Sequence, residues 1–454
     1  MRSVFAIARN TISQALRLKV AVIIVVLLLI LLPLMSMVMV GDETLKGKLQ
    51  TFTSYGLSLT SLLLCLLTIV VSTYTLSNDL KYKQLHLVVT KPVHRFQVVC
   101  GKLLGVVLLD VLLLAVFASI IYGLTSMMPR IADVDEGELL SAQKEFFTAR
   151  GSLVGEVDEA EVVRMAQKAY DKLEQQGLLP ENSTKRQVLR VLRKQNRLKA
   201  RAVEAGAEKK WEFTGVRKLA YGESLFVQYK FRVGVTPDNE RVDGAWLVGD
   251  IRQRDLGLEL KNPIYVLERS DAISVVHEFE VPANAITDDG YLAVVLKNPI
   301  QNQTTLIPEE VKVLFKAGTF GGNFARAALM ILARLIFLAA LGVSVSTWLS
   351  FPVAILVCLT VFLTGTVNGF IVESIGSLGQ GASIIYGLTI RPLLWLLPRF
   401  DGEFNPTRFM VAANLLEWSF LLRIYAVLVF GKSLLLMLFG VWVFSNREIA
   451  KITV

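Results

Sequence analysis

Three cysteines and three histidines in 454 residues leave little room for the chemistry those side chains usually carry. Cys65 and Cys358 stand inside apolar runs and Cys100 at the edge of one. That pattern offers neither a disulfide framework nor a thiolate metal site. His86 and His94 share one short basic stretch, and His277 lies far from both. There is no HExxH, no Cys-His cluster and no Gly-x-Ser-x-Gly, so no catalytic residue, metal ligand or bound cofactor is assigned to the chain. Charge is scarce too. Asp, Glu, Lys and Arg make up 19% of the residues, where a soluble protein carries about a quarter.

The charge is also unevenly placed. Residues 126–318 hold 28 Lys and Arg against 30 Asp and Glu, and the rest of the chain holds 20 against 9. The basic balance therefore belongs to the apolar part, and a nucleic-acid partner is not implied. Hydrophobic residues make up 53% of the chain, and they fall into two blocks. A membrane span needs about 20 mostly apolar residues to cross roughly 30 Å of hydrocarbon. Val20–Val40 and Thr51–Asn78 carry no charge, and Leu103–Met128 carries only Asp110. In the second block Ala327–Phe351 carries only Arg334, Pro352–Val372 none, and Ile424–Phe444 only Lys432. The expected fold is an α-helical integral membrane protein of six transmembrane helices with an inserted α+β domain. Residues 382–397 are apolar but short and contain Arg391 and Pro392. They read as a re-entrant or interfacial segment, with a seventh span as the alternative.

Short loops rich in Lys and Arg mark the cytoplasmic side. The N-terminus carries Arg2, Arg9, Arg17 and Lys19, the stretch after the second run carries Lys81, Lys83, Lys91, Arg95 and Lys102, and the C-terminus carries Arg447 and Lys451. Both termini are thus expected in the cytoplasm and residues 129–318 outside it, in a multi-pass protein of the cell (inner) membrane. Residues 1–19 fit an amphipathic helix on the lipid interface, with a continuation of the first span as the alternative. Residues 20–128 then hold spans one to three, and residues 319–454 spans four to six.

The insert changes period along its length. Residues 130–210 lack strand signals, and Glu159–Gln176 and Thr184–Glu208 space their apolar residues as helices do. Residues 211–318 alternate instead, as in Leu225–Val233, with turn residues at Asp288-Asp289-Gly290. A helical hairpin followed by a small β-sandwich is expected, and 190 residues or so suffice for a core of their own.

Residues 78–102 form the most informative local stretch. Its spacing suits a short amphipathic helix that breaks at Pro92, with Leu80 and Leu87 on one side and Lys81, Lys83 and Lys91 on the other. On physical grounds alone it would be a basic anchor on anionic lipid headgroups. The stretch also resembles the cytoplasmic loop of the ABC-2 family of ABC-transporter permeases. There an acidic residue, a Gly-Thr and a Leu-rich turn lead to Thr-x-Pro-Val-x-Arg and then Gly-Lys-Leu. Asp79, Leu85, Leu87, Thr90, Pro92, Val93, Arg95, Gly101, Lys102 and Leu103 fit, and Lys83-Gln84 stands in place of Gly-Thr. The resemblance spans both apolar blocks, including Thr347–Pro352, Leu396–Phe400 and Phe444–Glu448, and is strongest to the multicopper-enzyme-maturation permeases.

What the resemblance implies is a permease subunit of an exporter that is not catalytic alone. Asp79, Leu80, Lys83, Leu87, Lys91, Pro92, Val93, His94 and Arg95 would form the loop that couples it to a separate cytoplasmic ATPase. Two ATPases, carrying ATP and Mg, would serve a homodimer of the chain. The chain's own nearest approach to a phosphate-binding loop, Gly431-Lys432-Ser433, lacks the leading glycine and lies in a span.

Charges within spans are costly and often functional. Asp110 could gate or merely hydrogen-bond a neighbouring helix. Arg334 could be functional or snorkel to the outer headgroups, and opposite depths argue against its pairing with Asp110. Lys432 is a third polar site, and Glu373 a gate candidate or an exposed loop carboxylate. Beyond membrane lipids, the insert is expected to meet an envelope protein or glycan. The alternative function is a membrane-anchored receptor or scaffold whose sandwich binds such a partner while the spans only hold it.

Overall fold

The computed structural model describes residues 2–81, 94–131, 134–155, 159–179, 185–217, 219, 223–257, 261–376, 392, 394 and 397–446, the side chains of residues 81, 373, 375 and 376 excepted. Among the described residues the α-helices of six residues or more are α1 (Arg2–Leu16), α2 (Lys19–Val38), α3 (Leu45–Lys81), α4 (Arg95–Ile131), α5 (Glu136–Glu145), α6 (Glu159–Gln175), α7 (Lys185–Arg201), α8 (Phe320–Val345), α9 (Phe351–Gly376), α10 (Pro406–Val411) and α11 (Trp418–Asn446). The strands are β1 (Thr148–Val154), β2 (Glu208–Phe213), β3 (Ser224–Val233), β4 (Arg241–Gly249), β5 (Tyr265–Ala272), β6 (Val276–Pro282), β7 (Leu292–Lys297), β8 (Leu306–Pro308) and β9 (Lys312–Thr319). Two compact units result: Met1–Ala149 with Gly318–Val454, and Arg150–Ala317.

The first unit is helical. Among the described residues six helices are long and apolar enough to cross a membrane: α2, α3, α4, α8, α9 and α11. Each holds one of the apolar runs. Several helices outrun the runs because a helix continues past hydrocarbon into the interface: α4 begins eight residues before Leu103. The expected amphipathic helix breaking at Pro92 is corrected at its start. Leu80 belongs to the last turn of α3, and the helix resumes at Arg95. Residues 82–93 lie outside the described residues, as do most of residues 382–397.

Without a hydrophobic drive between helices in lipid, close approach depends on small residues. A Cβ on Gly342 of α8 would fall 2.0 Å from Ser72 Oγ of α3, and one on Gly440 of α11 2.8 Å from Ser344 Oγ of α8. Ser344 Oγ donates to the Leu436 carbonyl at 2.7 Å, and Ser346 Oγ to the Thr73 carbonyl at 3.3 Å. α8 is accordingly buried along most of its length, as a central helix of the unit.

α1 is a separate helix, broken from α2 at Arg17–Leu18. The face it buries is its small one: Ala8, Thr11 and Ala15. Ala8 and Thr11 lie against Gly105 of α4, where an added Cβ would come 2.7 Å from the Ala8 carbonyl oxygen and from Thr11 Cβ, and Ile7 lies against Gly101, where one would come 2.8 Å from Ile7 Cβ. Phe5 and Leu16 remain exposed. Because the Gly105 contact is with backbone, Gly105→Leu should lift α1 from α4 with the spans intact. Faster hydrogen exchange confined to residues 2–16 would check this, and unchanged exchange there would refute it.

The second unit holds two sheets, with strand orders β1-β9-β3-β6 (β8 also pairing with β3) and β2-β7-β4-β5. The β3, β4 and β7 pairings are antiparallel, with Val227 opposite Phe279 and Trp246 opposite Leu296 and Leu267. Alternate residues of the two sheets (Leu225, Val227, Tyr229 and Phe231 of β3; Leu292, Val294 and Leu296 of β7) fill one apolar core. That is the inserted sandwich. The helical hairpin is α6 and α7, joined at their ends by Arg197 and Glu159 at 2.7 Å. One expectation is corrected here. β1 lies within residues 130–210, where the sequence shows no strand signal. Its Ala149-Arg150-Gly151-Ser152 offers no β-branched alternation, and it is a strand because β9 pairs with it.

Candidate functional site

The site begins where α3 ends and α4 starts, on either side of residues 82–93. Lys102 Nζ reaches Asp79 Oδ2 at 2.6 Å and also donates to Gln14 Oε1 at 3.1 Å and the Thr75 carbonyl at 3.0 Å. Gln14 Nε2 donates in turn to Asp79 Oδ1 at 3.4 Å. Lys102 is only 2% exposed. A buried ammonium needs both a counter-charge and filled donors, and here all three donors have acceptors. One lysine thereby ties α1, α3 and α4 together at the foot of the loop.

Arg95 makes the second tie. Its Nη1 donates to the Phe444 and Ser445 carbonyls at 3.0 and 2.7 Å. These carbonyls end α11, where a cation satisfies groups without a partner in the helix and complements its dipole. Leu80 packs with Leu76, Val98, Val99 and Phe444. His94 is exposed and stacks on Phe96, with centroids 5.9 Å apart. Of the residues named from sequence, Asp79, Leu80 and Arg95 are thus engaged by their own chain and His94 faces outward. Lys83, Leu87, Lys91, Pro92 and Val93 lie outside the described residues.

Among the described residues, Asp110 and Arg334 form no ion pair with each other. Thr68 Oγ1 donates to Asp110 Oδ1 at 2.8 Å, and Asp110 Oδ2 has no partner among the described residues. Arg334 does not snorkel. Its Nη1 donates to Ser61 Oγ at 3.2 Å, its Nη2 to the Phe400 and Phe404 carbonyls at 3.1 and 3.4 Å, and its guanidinium lies over the Phe400 ring. Ser61 and Thr68 are seven residues apart on α3, so Arg334 and Asp110 reach one face of that helix about 10 Å apart, with Cys65 between. Lys432 Nζ donates to the Leu397 carbonyl at 2.7 Å. The Gly431-Lys432-Ser433 resemblance to a phosphate loop is void, because these residues lie in the π-helical stretch Tyr425–Ser433 of α11. The side chain of Glu373 lies outside the described residues.

Sequence reading missed Gln14, and it placed Lys102 in a motif without seeing it buried. The available signal was the pair Asp79 and Lys102, the charges bounding the loop nearest the two apolar runs.

With this geometry in view, comparison with known proteins gives one match. Residues 15–150 fit the family model described as ABC-2 family transporter protein. No curated protein and no solved structure matches the chain. The matched segment runs from the end of α1 through α2, α3 and α4, and so contains the tied loop. Over that segment the chain is similar to ABC-2 family transporter proteins, and six of its described helices are long and apolar enough to cross a membrane.

Proposed function

We propose that the chain is the membrane subunit of an ABC-2-type exporter, and that the loop between α3 and α4 takes up motion from a separate cytoplasmic ATPase. The observation that carries this reading is the double tie at the foot of that loop. Asp79–Lys102–Gln14 binds α1, α3 and α4 into one group, and Arg95 adds the end of α11. A push delivered at the ends of α3 and α4 would reach four helices through these contacts. The basic residues around the loop and the N-terminus support a cytoplasmic face there, with both termini on that side and residues 129–318 across the membrane. Two copies of the chain and two ATPases complete the assembly, and the inserted sandwich is the part that meets a substrate or an envelope partner.

Purified chain should hydrolyse no ATP alone. Hydrolysis at transporter-like rates by the chain by itself would sink this reading. In the assembled complex, replacing Pro92 and Val93 with Gly and Ser should abolish substrate-dependent ATPase activity without lowering the unfolding midpoint. Arg95 must be kept, because its loss would fray α11. The receptor reading predicts instead that no ATPase co-purifies in mild detergent.

A further inference from the structure

We propose that the helical unit holds a binding site for an anionic membrane lipid in the cavity walled by α8, α9, residues 397–404 and α11. The cavity measures about 680 Å³, within the range of formed ligand sites, roughly 300–1,000 Å³. Its walls are mostly apolar, Met330, Phe400, Phe420 and Leu428 among them, and four cations line it: Arg334, Arg399, Arg423 and Lys432. No carboxylate is among the described lining residues.

The cations are differently engaged. Arg399 is neutralised by Asp401 at 3.2 Å. The Arg334 hydrogen bonds go to a hydroxyl and two carbonyls, which orient the guanidinium and leave its charge in place. Arg423 is exposed, five residues into α11, and has no hydrogen-bond or ionic partner among the described residues. Lys432 lies nine residues further on, in the π-helical stretch, a device frequent at functional sites. Positive charge therefore runs from near the start of α11 toward its middle, along an apolar wall.

Charge held at membrane depth is expensive unless something complements it. A molecule with a phosphate or carboxylate head and a hydrocarbon tail complements both halves of this lining. Guanidinium groups suit such heads because they give two parallel charge-assisted hydrogen bonds. The surrounding bilayer supplies the ligand, so the membrane lipid is the assigned source. The site stands whether or not the lipid is transported, and does not depend on the exporter reading.

The test uses the full chain in vesicles of phosphatidylglycerol mixed equally with phosphatidylcholine. The chain is then extracted in mild detergent and its retained lipid identified by native mass spectrometry. Phosphatidylglycerol should be retained over phosphatidylcholine by roughly tenfold, about the factor that one charge-assisted contact supplies. Arg423→Gln combined with Lys432→Met should remove that preference, and Arg423→Lys should keep most of it. Arg326→Gln serves as a control. Arg326 lies on α8 over Trp418 and outside this lining, so the preference should survive its loss. Equal retention of the two lipids would overturn the proposal. So would a preference unchanged in the double variant while that variant elutes as the wild type does. Displacement of the lipid by inorganic phosphate alone would show a free-anion site and overturn the lipid assignment.

Discussion

Lys102→Met is expected to destabilise the helical unit by about 3 kcal/mol, because removing one partner of a buried ion pair leaves the other uncompensated. Asp79 would lose its counter-charge, and Gln14 and the Thr75 carbonyl would lose their donor. The loss should appear as a lower unfolding midpoint in detergent and as faster hydrogen exchange at the α1, α3 and α4 ends that meet there. The double variant Asp79→Leu with Lys102→Met separates stability from function. Buried pairs replaced by apolar groups of similar volume are often neutral or better in stability. The double variant should therefore recover most of the lost midpoint. On the exporter reading proposed above, it should not recover coupling to an ATPase, because α1 would no longer be held to α3 and α4 through Gln14. Recovery of both would mean the tie serves stability alone. A single variant as stable as wild type would mean the pair contributes nothing.

That tie also marks where sequence reading stops. The six spans were legible because a run of about 20 apolar residues with at most one charge has few other uses in a chain of this size. The sandwich was legible where residues alternate, as in β3. β1 was not, since its pairing with β9 lies some 160 residues away and a strand so made needs no local signal. Lys102 in sequence is one of several basic residues at a membrane edge, and such residues usually reach water. That it is buried depends on Asp79, Thr75 and Gln14 arriving from two other helices. Arg334 failed the same way. Its partners Phe400 and Phe404 lie about 70 residues on, in a segment with no apolar period to announce it. Asp110 and Arg334, whose sequence positions suggest opposite depths, both reach one face of α3, through Thr68 and Ser61.

Asp271→Ala is expected to cost the inserted sandwich about 3 kcal/mol. Asp271 is 4% exposed and belongs to β5 of one sheet, while the Tyr229 hydroxyl that donates to it belongs to β3 of the other. The carboxylate also accepts from Arg269 at 3.1 Å, and the His277 ring faces it at 3.6 Å. Around this polar clasp the aromatic core is dense, with Tyr229 4.3 Å and Phe279 5.7 Å from Trp246, centroid to centroid. Truncation would leave a buried hydroxyl and a guanidinium without their acceptor, each costing roughly 1–3 kcal/mol. Tyr229→Phe removes one donor and leaves the Arg269 pair, so it should cost less. Acid should act as the substitution does. Burial alone would raise the Asp271 carboxyl, but hydrogen bonds from Arg269 and Tyr229 outweigh burial and hold it below its ordinary 3.8. A carboxyl depressed on folding stabilises fully above its unfolded value and loses that contribution as pH falls through the folded one. The sandwich should hold its stability at neutral pH and lose it below about pH 4, and Asp271→Ala should flatten that acid dependence. Hydrogen exchange of β3, β5 and β6 in the full chain, followed against pH, measures both effects. An acid dependence as steep in the variant as in the wild type would assign it to other carboxylates and refute the role given to Asp271.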